Sequence, residues 1–206
     1  MYLVDIGNRF AHIFHDNSVV DVSYDELFLK YTNKDIYYIN VNPNLTNKLM
    51  SISNWVDLAP FIKIDGEYEG MGVDRKALLL SRGDGIYIDA GSAITIDIKE
   101  NNKFIGGTIL PGIWRVKSCY EDISPRLKID NLSSIDLDTL PKTTKDALNY
   151  GIIAPIIFLV KSINKKDLNI YCTGGDGNIL ASNLDAKYDK FLVFEGMKKV
   201  IKEYLC

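Results

Sequence analysis

The feature that most constrains the fold of this chain is a short motif that occurs twice. Residues 4–8 read VDIGN and residues 88–92 read IDAGS, so both copies share an aspartate, a glycine two positions later, and then a small polar residue. Each copy ends a run of residues typical of a β-strand, and a second such run follows it. This repetition indicates an α/β protein built from two similar halves.

The boundary between the predicted halves lies near residues 83 and 84. We therefore predict an N-terminal half at residues 1–83 and a C-terminal half at residues 84–206. Two such halves would face each other across a cleft, and ligands frequently bind in clefts of this kind. The pattern also predicts strands at residues 61–64 and 191–194 and a loop over residues 106–111.

Charge and cysteine spacing exclude several classes of protein. The net charge is −3, and the lysines and arginines are not clustered, so we expect no nucleic-acid partner. The three cysteines form no CxxC pair, which argues against a zinc or redox site. No basic, apolar leader begins the chain, and its longest apolar run, residues 152–160, is too short to cross a bilayer. We expect a soluble cytoplasmic protein without a membrane partner.

The only histidines of the chain are His12 and His15. They are three positions apart in a predicted strand, so their side chains point to opposite faces and cannot readily share a metal ion. No GxSxG elbow is present, so a Ser-His-Asp triad is not expected. We interpret both residues as half-exposed strand histidines.

The two aspartate–glycine turns suggest phosphate chemistry. A glycine allows positive φ and close approach of a ligand, and successive N–H groups in such a turn bind anions. The aspartate at the strand end offers a hard oxygen ligand to Mg²⁺. One copy alone is a common hairpin. Two copies, with the glycine-rich segment TGGDG at residues 173–177, favour a polyphosphate ligand, although no P-loop sequence is present.

A third aspartate, Asp74, opens a predicted helix in the segment GVDR at residues 72–75. An acidic residue in the first turn is stabilised by the helix dipole, so Asp74 could simply cap the helix. The neighbouring glycine and arginine favour instead a helix start that faces a ligand. The sequence pattern alone leaves both interpretations open.

Taken in order, several segments resemble the type III pantothenate kinases. They are DIGN at residues 5–8, GVDR at 72–75, DAGSAITID at 89–97, GGTILPG at 106–112, and Thr144 with Ala147 and Gly151. The resemblance implies two ribonuclease-H-like halves of the actin-like fold, which sugar kinases and chaperone ATPases share. It also implies ATP-dependent phosphorylation of pantothenate, the first step of coenzyme A biosynthesis, with Mg²⁺, a monovalent cation such as K⁺ or NH₄⁺, and a homodimer.

The resemblance also implies roles for individual residues. Asp74 would be the catalytic base, Asp5 would hold Mg²⁺ directly or through water, and Asp89 would hold the monovalent cation. The residues implied to contact ATP are Asp5, Ile6, Gly7, Asn8, Arg9, Ser92, Gly174 and Gly175. Those implied to contact pantothenate are Tyr68, Gly72, Val73, Asp74, Arg75 and Thr144.

Two positions depart from the family pattern, which usually has threonine where this chain has Arg9 and Ser92. Ser92 keeps the hydroxyl, whereas Arg9 changes the chemistry of the first turn. Two alternatives therefore stay open. One is a kinase of the same fold for another small substrate, and the other is a non-catalytic nucleotide-binding accessory protein. Some proteins resembling this family have been described as transcriptional accessory factors.

Overall fold

The computed structural model describes residues 1–205, which form two compact units. The first unit comprises Met1–Gly83, Asn101–Phe104 and the segment from Lys190 onward, and the second comprises Asp84–Glu100 and Ile105–Asp189. The second unit differs from the predicted half at residues 84–206. The reason is that the C-terminal helix packs against a helix and a strand of the first unit.

The first unit is built on a five-stranded sheet. Its elements are β1 (Tyr2–Ile6), β2 (Ala11–His15), β3 (Ser18–Val22), α1 (Tyr24–Tyr31), β4 (Ile36–Asn40), α2 (Thr46–Met50), β5 (Trp55–Asp57) and α3 (Val73–Leu80). The strand order is β3-β2-β1-β4-β5. The first three strands are antiparallel neighbours, while β4 runs parallel to β1 and to β5. Val4, Ile6, Ile13 and Leu27 lie in its core.

The second unit is built on another five-stranded sheet. Its elements are β6 (Gly85–Ala90), β7 (Ala93–Glu100), β8 (Lys103–Pro111), α4 (Ile113–Ile123), α5 (Thr144–Ile163), β9 (Ile170–Thr173), α6 (Gly177–Leu184) and β10 (Lys187–Tyr188). The strand order is β10-β9-β6-β7-β8, with β7 antiparallel and β9 parallel to β6. Counted within its own unit, each sheet has the order third, second, first, fourth, fifth. The predicted α/β class with two similar halves is confirmed.

The long helix α5 supplies much of the second core. Ile153, Ile157 and Val160 are fully buried there, packed with residues of the sheet and of α6. By length and composition alone this helix could also cross a membrane, as the apolar core helices of many soluble proteins could. Its place in the core gives its apolar residues a structural explanation.

The C-terminal helix α7 (Leu192–Tyr204) packs closely against α3. A Cβ on Gly196 would lie 1.8 Å from the carbonyl oxygen of Ala77, so only glycine fits at this crossing. The Lys199 ammonium donates to the carbonyl oxygen of Leu80 at 3.0 Å, which caps the end of α3. These contacts with α7 hold the C-terminal half of α3, the helix that carries Asp74, in place.

Three local predictions were wrong. Residues 191–194 are not a strand but the N-cap and first residues of α7, in which Phe194, Met197, Val200 and Ile201 bury one face at helical spacing. Residues 61–64 are not a strand, and the edge strand next to β4 is β5 instead. Residues 106–111 belong to β8 rather than to a loop, because they continue the strand beside β7.

Candidate active site

The first aspartate–glycine turn follows β1 and is held by hydrogen bonds. Gly7 N donates to the carbonyl oxygen of Phe10 at 3.1 Å, and the Tyr24 hydroxyl donates to the carbonyl oxygen of Gly7 at 2.7 Å. Asn42 in turn donates to the Tyr24 hydroxyl at 3.1 Å. Sequence reasoning missed both bracing residues, since neither belongs to the motif and Asn42 comes close only through the pairing of β4 with β1.

The expected role of glycine in these turns needs a correction. Among the described glycines, positive φ occurs at Gly66, Gly70, Gly106 and Gly174, and so not at Gly7 or Gly91. Space explains Gly7 better than backbone conformation does. A Cβ there would lie 3.3 Å from the carbonyl oxygen of Phe10, tighter than ordinary contact.

Asp5, near the end of β1, is a strongly perturbed acid. Its Oδ1 atom is buried and has no hydrogen-bond partner. Burial, followed by the negative charge of Asp74, raises the pKa of Asp5 to about 8. The structure therefore brings two predicted site residues close enough for their carboxylates to repel each other.

A hard cation fits this environment. It would give the orphaned Asp5 oxygen a partner and would offset the repulsion from Asp74. No group of three or more His, Cys, Asp or Glu side chains that could hold a metal ion occurs within residues 1–205. A cation bound here would thus need water or substrate oxygens as further ligands, which is typical of Mg²⁺ in phosphate-binding sites.

Asp74 lies in the first turn of α3, just after the N-cap residue Gly72. Its Oδ1 accepts a hydrogen bond from the backbone N–H of Arg75 at 2.8 Å. A Cβ on Gly72 would lie 2.5 Å from the same oxygen, so the glycine leaves room for the carboxylate to fold back over the helix start. The helix dipole favours the charged form at this position.

Arg75 and Tyr68 meet beside Asp74. The buried Arg75 guanidinium donates to the Tyr68 hydroxyl at 2.6 Å and lies 5.8 Å from the centre of its ring. Tyr68 itself is exposed, and its ring packs against that of Phe104. The structure thus brings together four of the predicted pantothenate-site residues: Tyr68, Gly72, Asp74 and Arg75.

The loop that carries Tyr68 is anchored by an ion pair that sequence reasoning missed. Glu67 accepts from the N–H of Ile64 at 2.8 Å and from the largely buried Lys76 ammonium at 3.4 Å. Burial alone would raise the pKa of Glu67, but these two contacts bring it below its ordinary value. Lys76 lies on α3 one residue after Arg75, so the helix and the loop are fixed together.

The second aspartate–glycine turn lies in the second unit. Asp89 in β6 is directly opposite Thr95 of β7 and Thr173 of β9, so hydroxyl-bearing residues flank it on both sides. The Thr95 hydroxyl is buried without a partner, an oxygen that a bound cation could use. Gly174 has φ 84°, and a Cβ there would lie 2.5 Å from Asp89 Oδ1, so only glycine allows this approach.

The remaining predicted site residues differ in the exposure of their side chains. Ile6 and Val73 bury their side chains, so only their backbone atoms can meet a ligand. Asn8, Ser92 and Gly175 are exposed. The guanidinium of Arg9 lies 5.5 Å from the ring centre of Phe10.

Thr144 is the first residue of α5 and is exposed. The N-cap is its neighbour Thr143, which accepts from Asp146 N at 3.2 Å. A cavity of about 420 Å³ lies between residues 133–142 and the start of this helix. Its lining includes Asp146 and Asn149 but none of the predicted site residues.

Comparison with known proteins identifies the family. The family model described as type III pantothenate kinase matches residues 27–166. A Campylobacter jejuni protein named type III pantothenate kinase is 46% identical over 98% of this chain and 97% of its own length. The chain belongs to the type III pantothenate kinase family.

Two solved structures are similar to this chain, one in both sequence and fold and the other in fold alone. A Campylobacter jejuni protein described as a Baf family transcriptional activator has a TM-score of 0.88 and 45% identity, and the match covers 98% of each chain. A Sinorhizobium meliloti protein described as a 2-dehydro-3-deoxygalactonokinase has a TM-score of 0.59 at 9% identity, covering 98% of this chain and 96% of its own. The second similarity concerns the fold alone, which is that of the sugar kinases and actin.

The unpartnered Asp5 carboxylate leads to a test by pH. Its folded-state pKa of about 8 lies above the ordinary value of an aspartate. At pH values between these two pKa values, the folded state therefore binds more protons than the unfolded state. The contribution of Asp5 to stability is therefore largest below about pH 4 and is lost as pH rises toward about 8. Asp5→Asn removes this dependence, and without divalent cations we expect its Tm to exceed that of the wild type by more at pH 8 than at pH 5.

Differential scanning calorimetry at the two pH values measures this difference. The matched control is Asp35→Asn, because Asp35 is an exposed acid of the same unit. Its Tm difference from the wild type should not change with pH. A constant Asp5→Asn difference, or a variant less stable than the wild type at pH 8, would contradict the account of the site.

Proposed function

We propose that this protein is an ATP-dependent kinase that phosphorylates pantothenate to 4′-phosphopantothenate, the first step of coenzyme A biosynthesis. The observation that carries the proposal is the proximity of Asp5, with its orphaned buried oxygen, to Asp74 at the start of α3. Membership of the type III pantothenate kinase family supplies the substrate.

Asp74 is proposed as the catalytic base. Its carboxylate orients the pantothenate hydroxyl and accepts its proton, while the hydroxyl oxygen forms a bond to the γ-phosphorus of ATP. The bond from that phosphorus to the β,γ-bridging oxygen breaks, and ADP leaves with the electron pair. The transition state of phosphoryl transfer is loose, so a late proton transfer to the carboxylate is sufficient.

The first turn is proposed to bind the ATP phosphates through Asp5, Gly7, Asn8 and Arg9 and through the backbone of Ile6. Asp5 would hold Mg²⁺, directly or through water, and this ion would neutralise phosphate charge when bound. Its orphaned Oδ1 supports this assignment. Further ATP contacts are proposed for Ser92, Gly174 and Gly175.

Pantothenate is proposed to contact Tyr68, Gly72, Val73, Arg75 and Thr144. Pantothenate carries a carboxylate, and a buried guanidinium such as that of Arg75 suits such a group. The Glu67–Lys76 ion pair supports the role of Tyr68, because it holds the loop in place before a substrate arrives.

Asp89 is proposed to hold the monovalent cation, K⁺ or NH₄⁺. The flanking threonines and the orphaned hydroxyl of Thr95 support this, since alkali cations prefer oxygen ligands. We expect the turnover rate to fall when Na⁺ replaces K⁺ in a coupled ADP-release assay, and Asp89→Ala should lose the difference. Equal wild-type rates in the two salts would refute the assignment.

A cytoplasmic homodimer without nucleic-acid or membrane partners is also proposed, with pantothenate bound near the subunit interface. Phe158 of α5 supports it, because this large apolar side chain is 49% exposed although its neighbours Ile156 and Ile157 are buried. Light scattering at micromolar concentration tests the assembly. A monomer with full turnover would refute both the dimer and the shared pocket.

A second candidate function is a nucleotide-binding accessory protein without kinase activity. It is favoured by the description of the similar Campylobacter jejuni structure as a transcriptional activator. Against it stands the joint presence of Asp5, Asp74 and Asp89, because a binding module does not need a base on a second substrate.

The role of Asp74 is tested by Asp74→Asn. We expect ATP binding to stay within about twofold, while turnover with pantothenate falls by roughly 100-fold or more, the usual effect of losing a general base. Steady-state kinetics and calorimetry of ATP binding separate the two effects. Near wild-type turnover of the variant would overturn the assignment.

Asp25→Asn is the matched control. Asp25 is the second residue of α1, as Asp74 is of α3, and it is exposed. It tests whether loss of an acidic residue in a first helical turn is enough to lower activity. We expect no change in turnover.

A further inference from the structure

His12 lies in the middle of a row of polar residues on the sheet of the first unit. It is directly opposite Asp5 of β1 on one side and Asp21 of β3 on the other. Side chains directly opposite in antiparallel strands project to the same face and come within contact distance. Asp5, His12 and Asp21 therefore form a continuous row that ends at the proposed phosphate turn.

One side of the His12 ring is fixed. Its Nδ1 lies 2.6 Å from Asp21 Oδ1, and since the carboxylate accepts, Nδ1 carries the proton. Within residues 1–205 the ring makes no other hydrogen bond, and 39% of the side chain is exposed. Nε2 is therefore the atom that the ring can offer to a ligand.

The free nitrogen points toward the first turn. Nε2 lies 3.9 Å from the position that a Cβ on Gly7 would occupy. The Gly7 carbonyl is already bound by Tyr24, and the Gly7 N–H by Phe10. These two hydrogen bonds hold the Gly7 backbone in place, and His12 Nε2 lies beside it.

We propose that His12 contacts the ATP polyphosphate, with Nε2–H donating a hydrogen bond to a phosphate oxygen while Asp21 holds Nδ1–H. This inference rests on the proposed function and adds a nucleotide-contacting residue to it. A ring that donates from both nitrogens is positively charged, which complements phosphate, and the Asp21 carboxylate balances this charge. Asp21 acts as a positioning residue, because it touches the ring and not the nucleotide.

The second histidine provides an internal control. His15 is on the same strand, but the odd offset of three residues places it on the other face. Its ring stacks on Tyr2 with centroids 3.9 Å apart, and its Nδ1 lies 3.1 Å from Asp16 Oδ2. We expect His15 to be insensitive to nucleotide.

The direct test is long-range ¹H–¹⁵N spectroscopy of the ¹⁵N-labelled protein. With only these two histidines in the chain, His15→Gln assigns both sets of imidazole signals. ATP and inorganic tripolyphosphate should shift the His12 Nε2 signal, while adenosine and pantothenate should not, and His15 should stay unchanged. An unshifted His12 signal at saturating ATP would overturn the proposal.

Variants give an independent readout. His12→Ala should weaken ATP binding, measured by calorimetry, by about tenfold or more, the usual effect of one charge-assisted hydrogen bond, and leave the KM for pantothenate unchanged. His12→Gln places an amide near the Nε2 position and should retain more affinity than His12→Asn, which mimics Nδ1. The ATP affinity of Asp21→Asn should lie between those of the wild type and His12→Ala. The ATP affinity of His15→Gln should match that of the wild type.

The outcomes separate this inference from the proposed function. Wild-type ATP affinity in His12→Ala would overturn the role of His12 and leave the kinase assignment intact. Absence of any ATP binding to the wild type would overturn both. Equal affinity of His12→Gln and His12→Asn would refute the Nε2 contact specifically.

Discussion

A carboxylate oxygen without a hydrogen-bond partner is the constraint on which the rest of the site depends. Asp5 Oδ1 is buried near the end of β1, and this burial, followed by the negative charge of nearby Asp74, raises the pKa of Asp5. An uncompensated buried charge is unfavourable, and a fold retains it only where the surrounding structure holds it in place. Here β2 and β4 pair with β1 on either side, and the packing of α3 against α7 fixes the second carboxylate. We therefore propose that the ionised site becomes favourable when a cation and its phosphate ligands bind.

The repeated topology places one motif in two different surroundings. Asp5 and Asp89 occupy equivalent positions near the ends of the first strands of their sheets. The neighbours across the strands differ: Asp5 is opposite His12 and Ile39, whereas Asp89 is opposite Thr95 and Thr173. Histidine suits an anionic ligand and hydroxyl oxygens suit a cation, so we propose that the duplicated scaffold supports different chemistry in each unit.

Much of this architecture could be predicted from the sequence because its determinants are local. The turn motifs identified both first strands, because each motif closes a run of strand-forming residues. Other features depend on contacts between distant segments. Packing on α3 decides where α7 begins. Strand pairing brings Asn42 to the Tyr24 hydroxyl, and so decides the hydrogen bonds that hold the first turn. Likewise His12, interpreted from sequence as an ordinary strand residue, becomes informative only when the register places it opposite Asp5.

The account is tested most directly by measuring the product. The purified protein, incubated with ATP, Mg²⁺, K⁺ and pantothenate, should form 4′-phosphopantothenate and ADP in equal amounts, quantified together by liquid chromatography and mass spectrometry. Omitting pantothenate should abolish ADP formation above the slow background hydrolysis. Tight ATP binding without any phosphorylated pantothenate would contradict the central claim and favour a nucleotide-binding accessory protein.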